Sequence, residues 1–138
     1  LVTPNGVGLS PDGSILYVAE TMTGKILQWD ITGPGELDLE HGPSAEGKLT
    51  YALPDGMRFD SMAVDSSGYV NVAVLGKGGG ICEISPEGTG RIIETGDNMT
   101  TNICFGGDDF STAYITCSDS GTLLKLPWSR QGLKLAFL

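Results

Sequence analysis

The chain has one histidine, three cysteines and eight Lys or Arg among its 138 residues, and each scarcity excludes something. A Ser-His-Asp hydrolase needs a positioned imidazole, and the lone His41 lies in a polar loop with no nucleophile elbow. Cys82, Cys104 and Cys117 are odd in number and lack CxxC-type spacing, so no thiolate metal site is indicated. Cys104 and Cys117 fall inside apolar strand patterns, which predicts buried thiols in a reducing, cytoplasmic setting. Eight basic residues against seventeen acidic ones give a net charge of −9. That balance argues against nucleic acid as a partner, because phosphates demand a basic surface, and equally against an anionic membrane. No apolar run approaches the ~20 residues of a membrane span, and no signal peptide is visible. Asn98-Met99-Thr100 is formally a glycosylation sequon, which has meaning only with secretion. Sustained helical periodicity is missing as well, so the fold is expected to be all-β.

What the chain does have is punctuation. Twenty-one glycines and seven prolines break a sequence that is 40% hydrophobic and 18% charged, as short strands joined by tight turns require. The organising stretch is Asp60-Ser61-Met62-Ala63-Val64, then the turn Asp65-Ser66-Ser67-Gly68, then the alternating strand from Tyr69 to Val74. The phrase recurs. Asn5 to Ser10, the turn Pro11-Asp12-Gly13 and Ser14 to Ala19 form one copy. Thr101 to Phe105, the turn Gly106 to Asp109 and Thr112 to Thr116 form another. Each copy continues into further strands: Lys25 to Ile31 with a weaker Glu36 to Glu40, Ile81 to Ile84 with Arg91 to Glu94, and Thr122 to Leu126 with Leu133 to Phe137.

Four short strands per repeat of roughly 40–50 residues is the signature of a β-propeller blade. The blades are expected at about 1–50, 51–97 and 98–138. A propeller closes with typically 4–8 blades, so three make half of a six-bladed disc. Either the chain is the C-terminal half of a longer protein, which its start at Leu1 in a Pro-Asn-Gly motif favours, or two copies pair. An open half would leave an exposed blade face and unpaired strand edges, which promote self-association.

The first strand of each blade lines the central channel, so its leading residue points into the pore mouth. Alignment of the repeats puts Asn5, Asp60 and Asn102 at one equivalent position. Three oxygen-bearing side chains converging on an axis suit a hard cation. The plainer reading is that they cap strand ends and hold channel water, and an acidic balance is more often a solubilising surface than a cation site. Gly76 to Gly80 reads as a hairpin turn, since no helix follows to present amides to a phosphate. Trp29, Trp128 and Phe105 read as packing residues.

Pro4-Asn5-Gly6-Val7, with Ser10-Pro11-Asp12-Gly13 and Leu16 to Thr21, resembles the SMP-30/gluconolactonase/regucalcin family. So do Asp60 to Asp65 with the Gly68 turn, Thr101 to Gly107, and the closing Pro127-Trp128-Ser129-Arg130. The resemblance covers nearly the whole chain in the family's order and is similar to the C-terminal half of bacterial lactonase-type members. It implies a six-bladed propeller with one divalent cation on its axis (Ca²⁺ or Zn²⁺, alternatively Mn²⁺ or Mg²⁺), acting on a small lactone or sugar-acid derivative. It implies that Asn5 is a metal ligand and that an Asp is a second ligand and general base. Asp55-Gly56-Met57 matches the letters of that Asp motif, while Asp60-Ser61-Met62 matches its context before a turn and a strand. Position relative to the strand selects Asp60 and leaves Asp55 in a loop near the pore mouth. The family's remaining Glu ligand and substrate-orienting Asn belong upstream of Leu1. The alternative is a non-catalytic propeller fragment or a metal- or sugar-binding scaffold of the regucalcin kind.

Overall fold

The computed structural model describes residues 1–39 and 47–135. His41 and residues 136–138 lie outside the described residues. Twelve strands and no helix occur among those described, so no helix there is long and apolar enough to cross a membrane.

The strands form three antiparallel sheets in chain order. Sheet 1 contains β1 (Pro4–Leu9), β2 (Ile15–Glu20), β3 (Lys25–Gly33), the two-residue β4 (Glu36–Leu37) and β5 (Lys48–Ala52). Sheet 2 is a meander of β6 (Arg58–Val64), β7 (Val70–Leu75), β8 (Gly80–Ile84) and β9 (Gly90–Glu94). Sheet 3 holds β10 (Thr100–Gly106), β11 (Thr112–Cys117) and β12 (Thr122–Pro127). Tight turns with left-handed glycines join them. At Gly13, Gly68 and Gly88 φ is 73°, 83° and 83°, a region L side chains rarely adopt.

The sheets stack as propeller blades, with β1 against β6 and β6 against β10. The middle sheet is therefore buried on both faces. Val70, Val72 and Val74 pack with Tyr17, Ala19, Ile26 and Phe59 toward sheet 1. Ala73 and Ile81 pack with Ile103, Ala113 and Ile115 toward sheet 3. Strand alternation puts successive residues on opposite faces. A central strand must then be apolar throughout, as Val-Asn-Val-Ala-Val is apart from one asparagine.

Three expectations from the sequence are corrected. The outer strand of sheet 1 is β5, paired along β3 from Lys25 to Gln28, and of the expected Glu36 to Glu40 strand Glu36 and Leu37 form β4, with Glu40 outside the described residues. The first sheet therefore extends to Ala52. The reason is packing: the Tyr51 ring reaches Phe59 at 6.4 Å and lies over Gly90, where a Cβ would meet it at 2.5 Å. Sheet 3 has no fourth strand among the described residues. After β12 the chain crosses instead to sheet 2, where the Ser66 N–H donates to the Gln131 carbonyl and the Leu133 N–H to that of Val64. Cys104 is exposed, since it sits on the face of β10 turned away from sheet 2, while Cys82 and Cys117 are buried. Burial pushes the Cys82 thiol up to about 12. Trp29 and Trp128 are buried, and Phe105 is half-buried against Trp128.

The crossing segment ends in an ion network. Arg130 Nε donates to Asp65 Oδ2 at 2.6 Å, its Nη2 donates to Glu83 Oε1, and its guanidinium stacks 3.8 Å from the Tyr69 ring centre. Arg91 Nε donates to the other Glu83 oxygen at 2.6 Å. Asp65 and Glu83 are 0% and 2% exposed. Asp65 also accepts from the N–H groups of Ser67 and Tyr69 and from Asn71 Nδ2. Together these bonds tie the end of the described chain to the middle blade.

Candidate functional site at the inner strands

The inner strands β1, β6 and β10 share a local defect. Pairing with the neighbouring strand shifts register between Pro4 and Val7, between Phe59 and Met62, and between Thr100 and Asn102. A bulge of this kind bends the strand and re-aims a side chain. Asn5 and Asp60 each lie immediately after the last paired residue, so they occupy the same position within their blades. The strands begin earlier than the pattern suggests: β6 starts at Arg58, so Asp60 is its third residue rather than its head.

The bulges bring Asn5 and Asp60 together. Asn5 Nδ2 donates to Asp60 Oδ1 at 2.7 Å across 55 positions of sequence. The same amide nitrogen lies 3.3 Å from the Thr21 hydroxyl, and the Ser61 hydroxyl donates to Asn5 Oδ1 at 3.4 Å. Gly6 makes this approach feasible. A Cβ there would stand 2.8 Å from the Asp60 carbonyl oxygen and 2.9 Å from the Met62 nitrogen. Any side chain at Gly6 would press β1 away from β6, because both obstacles are backbone.

The floor beside Asn5 is anchored by Glu20, which is 4% exposed. It accepts from the Val2 N–H and from the Thr23 hydroxyl at 2.6 Å. Burial pushes its carboxyl up, but the Thr23 hydroxyl and the Val2 N–H outweigh this and hold it below the ordinary value.

The remaining candidates stand apart from this pair. Asn102 lies one residue beyond the bulge position of β10, is exposed, and gives its oxygen to the Ile103 N–H at 2.9 Å. Thr101 occupies the bulge instead, with its hydroxyl 2.8 Å from that of Thr116. Asp55 is exposed in the β5–β6 connection. Thr21 and Gly6 stand within the motifs that carry the resemblance, yet the sequence assigned neither a role. A threonine after a strand carries no signal of its own, and the one clue to Gly6 was a glycine inside a strand.

The donor set suits a hard divalent cation by type, being an amide oxygen, a carboxylate and hydroxyls. It is short by number. No group of three or more His, Cys, Asp or Glu that could hold a metal ion occurs among the described residues.

Comparisons with known proteins place this architecture. The SMP-30/Gluconolactonase/LRE-like region family matches residues 1–119. Regucalcin of Bos taurus is 31% identical over 131 residues, covering 89% of this chain and 41% of its own length. Regucalcin of Xenopus laevis is 32% identical over 121 residues, covering 85% of this chain and 38% of its own. The chain thus spans about two fifths of the length of the curated relatives it matches. Among solved structures, a gluconolactonase of Xanthomonas campestris superposes with a TM-score of 0.69 at 26% identity, over 92% of this chain and 38% of that one. A calcium-binding regucalcin of Agrobacterium tumefaciens shares the fold, with a TM-score of 0.70 at 19% identity over 96% of this chain and 47% of its own. The repeated blades, the bulged inner strands and these matches agree, and the chain belongs to the SMP-30/Gluconolactonase/LRE-like family.

Proposed function

We propose that this chain carries part of a divalent-cation-dependent site for hydrolysing a sugar-type lactone, with Asn5 and Asp60 as its cation-holding residues. The observation that carries the reading is the 2.7 Å contact between these two side chains, made from bulges at equivalent positions of adjacent blades. Support also comes from the gluconolactonase and the calcium-binding regucalcin whose folds this chain shares. A cation bound there would supply Lewis-acid polarisation of the lactone carbonyl.

Asp60 would do the proton work. Half-buried at the mouth of the inner strands, it can accept a proton from the water that adds to the carbonyl carbon. It returns that proton to the ring oxygen as the carbon–oxygen ester bond breaks, leaving a hydroxy acid. Asn5 orients the carboxylate through its Nδ2, and the Thr21 and Ser61 hydroxyls hold the Asn5 amide in turn. A second reading is a cation-binding propeller module without turnover. It is favoured by the contacts at Asn5, where Asp60 is the one carboxylate among amide and hydroxyl groups and would have to serve both a cation and a proton.

The test is base-consumption assay of a panel of sugar lactones with Ca²⁺, Zn²⁺, Mn²⁺ or Mg²⁺ present or chelated. Cation-dependent hydrolysis is expected, and Asp60→Asn should lower it by about 100-fold or more with an unchanged melting temperature. Full hydrolysis by the variant would remove Asp60 from the chemistry. No hydrolysis by the parent chain under any cation would leave the binding-module reading.

A further inference from the structure

The Asn5 amide stands with its nitrogen, not its oxygen, toward Asp60. Nδ2 donates to Asp60 Oδ1 at 2.7 Å and to the Thr21 hydroxyl at 3.3 Å, while Oδ1 accepts from the Ser61 hydroxyl at 3.4 Å. A carboxylate only accepts, so Asp60 selects this orientation. A hard cation selects the opposite one, because an amide ligates it through oxygen. Two oxygens held that close repel each other unless a positive charge joins them.

The surroundings of Asn5 accommodate both orientations. A hydroxyl can donate or accept. With the amide turned over, Thr21 would donate to Oδ1 and Ser61 would accept from Nδ2, so each neighbour keeps its bond. Neither hydroxyl is committed to another protein group among the described residues. The strands leave this change to the side chain. A Cβ on Gly6 would meet the Asp60 carbonyl oxygen at 2.8 Å, so the two backbones already run in close contact. The soft coordinate is the Cβ–Cγ torsion of Asn5, which for asparagine is broad and roughly two-fold. Asn71 and Asn102 lack this freedom. Asn71 gives its nitrogen to two pure acceptors, Asp65 Oδ2 and the Tyr69 carbonyl. Asn102 gives its oxygen to a pure donor, the Ile103 N–H.

We infer, resting on the cation reading proposed above, that Thr21 and Ser61 are positioning residues that let the Asn5 amide turn over, nitrogen toward Asp60 without a cation and oxygen forward with one. Ser61 carries more of the balance. With nitrogen toward Asp60, Nδ2 has both Asp60 and Thr21, whereas turned over it has Ser61 alone.

Side-chain amide NMR of the isotope-labelled chain tests this, first with chelator and then with Ca²⁺, Mg²⁺ or Zn²⁺ alone. With chelator, one Asn5 Nδ2 proton is expected far downfield, as a 2.7 Å bond to a carboxylate requires. Saturation with an ion is expected to abolish that downfield signal. Ser61→Ala should keep the chelator spectrum of Asn5, because the bond to Asp60 survives, yet bind the ion about threefold or more weakly. Ser61→Thr keeps a hydroxyl and is expected to bind as the parent does. An Asn5 proton that stays downfield at saturation overturns the turnover and leaves the cation reading standing. Parent-like affinity in Ser61→Ala overturns the assignment of Ser61. No binding of any of the three ions overturns this inference and the cation reading together. Should Ser61→Ala unfold, the parent spectra decide alone.

Discussion

Arg130→Met is expected to destabilise the fold by about 3–5 kcal/mol, more than any other single charge removal in the described chain. Arg130 is the shared partner of Asp65, in the turn after β6, and Glu83, in β8, two carboxylates that are almost wholly buried. Removing it leaves two negative charges in a poorly solvated site. Asp65 keeps its two backbone N–H donors and Asn71, and Glu83 keeps Arg91, so the local structure is expected to loosen before it collapses. Arg91→Met is the internal control. The Arg91 side chain is 69% exposed although it touches the same Glu83, and its loss should cost about 1 kcal/mol or less. Arg130→Lys should recover only part of the loss, because an ammonium cannot fork to two acids and stack on Tyr69 at once. Urea titration of the three variants gives the comparison directly. Equal midpoints for Arg130→Met and Arg91→Met would show that the network does not anchor the C-terminal crossing.

Phe59→Ala is the second large effect, at about 3–5 kcal/mol. Phe59 is fully buried and belongs to the cluster that joins sheets 1 and 2, with the tilted Tyr51 ring beside it. Its truncation opens a cavity where β5, β6 and β7 meet, and Asp60 is the next residue. The measurement is again the urea midpoint, with an unchanged slope showing that the same surface unfolds. A loss below about 1 kcal/mol would mean the blades close over the gap, which close-packed interiors seldom do completely.

Much of this architecture was legible because β-blades advertise themselves locally. Alternating apolar residues, Asp-Gly and Ser-Gly turns and a recurring strand–turn–strand phrase located most of the strands in the middle blade. The equivalence of Asn5 and Asp60 was legible for the same reason, whereas that of Asn102 was not, because Thr101 takes the matching position in β10. What escaped was decided by contacts distant in sequence. Lys-Leu-Thr-Tyr-Ala of β5 is too short and mixed to declare itself, and it becomes an edge strand because Tyr51 finds Phe59 and Gly90. Leu133-Lys134-Leu135 reads as the start of a fourth strand by its alternation, yet Arg130 finds its partners 65 and 47 positions away and Leu133 bonds to Val64 of sheet 2. Cys104 looks buried by pattern, since a strand's apolar letters do not say which face is covered. The bulges themselves have no letter code beyond Gly6, although they aim the site.

The central claim is that Asn5 and Asp60 form one half of a cation site, and calorimetric titration of Ca²⁺, Zn²⁺, Mn²⁺ and Mg²⁺ into the chain and its Asp60→Asn variant tests it most directly. The account predicts one class of site for at least one of these ions, weakened about tenfold or more in the variant while its circular dichroism is unchanged. Equal affinity in both proteins, or no binding heat in the parent, would contradict it.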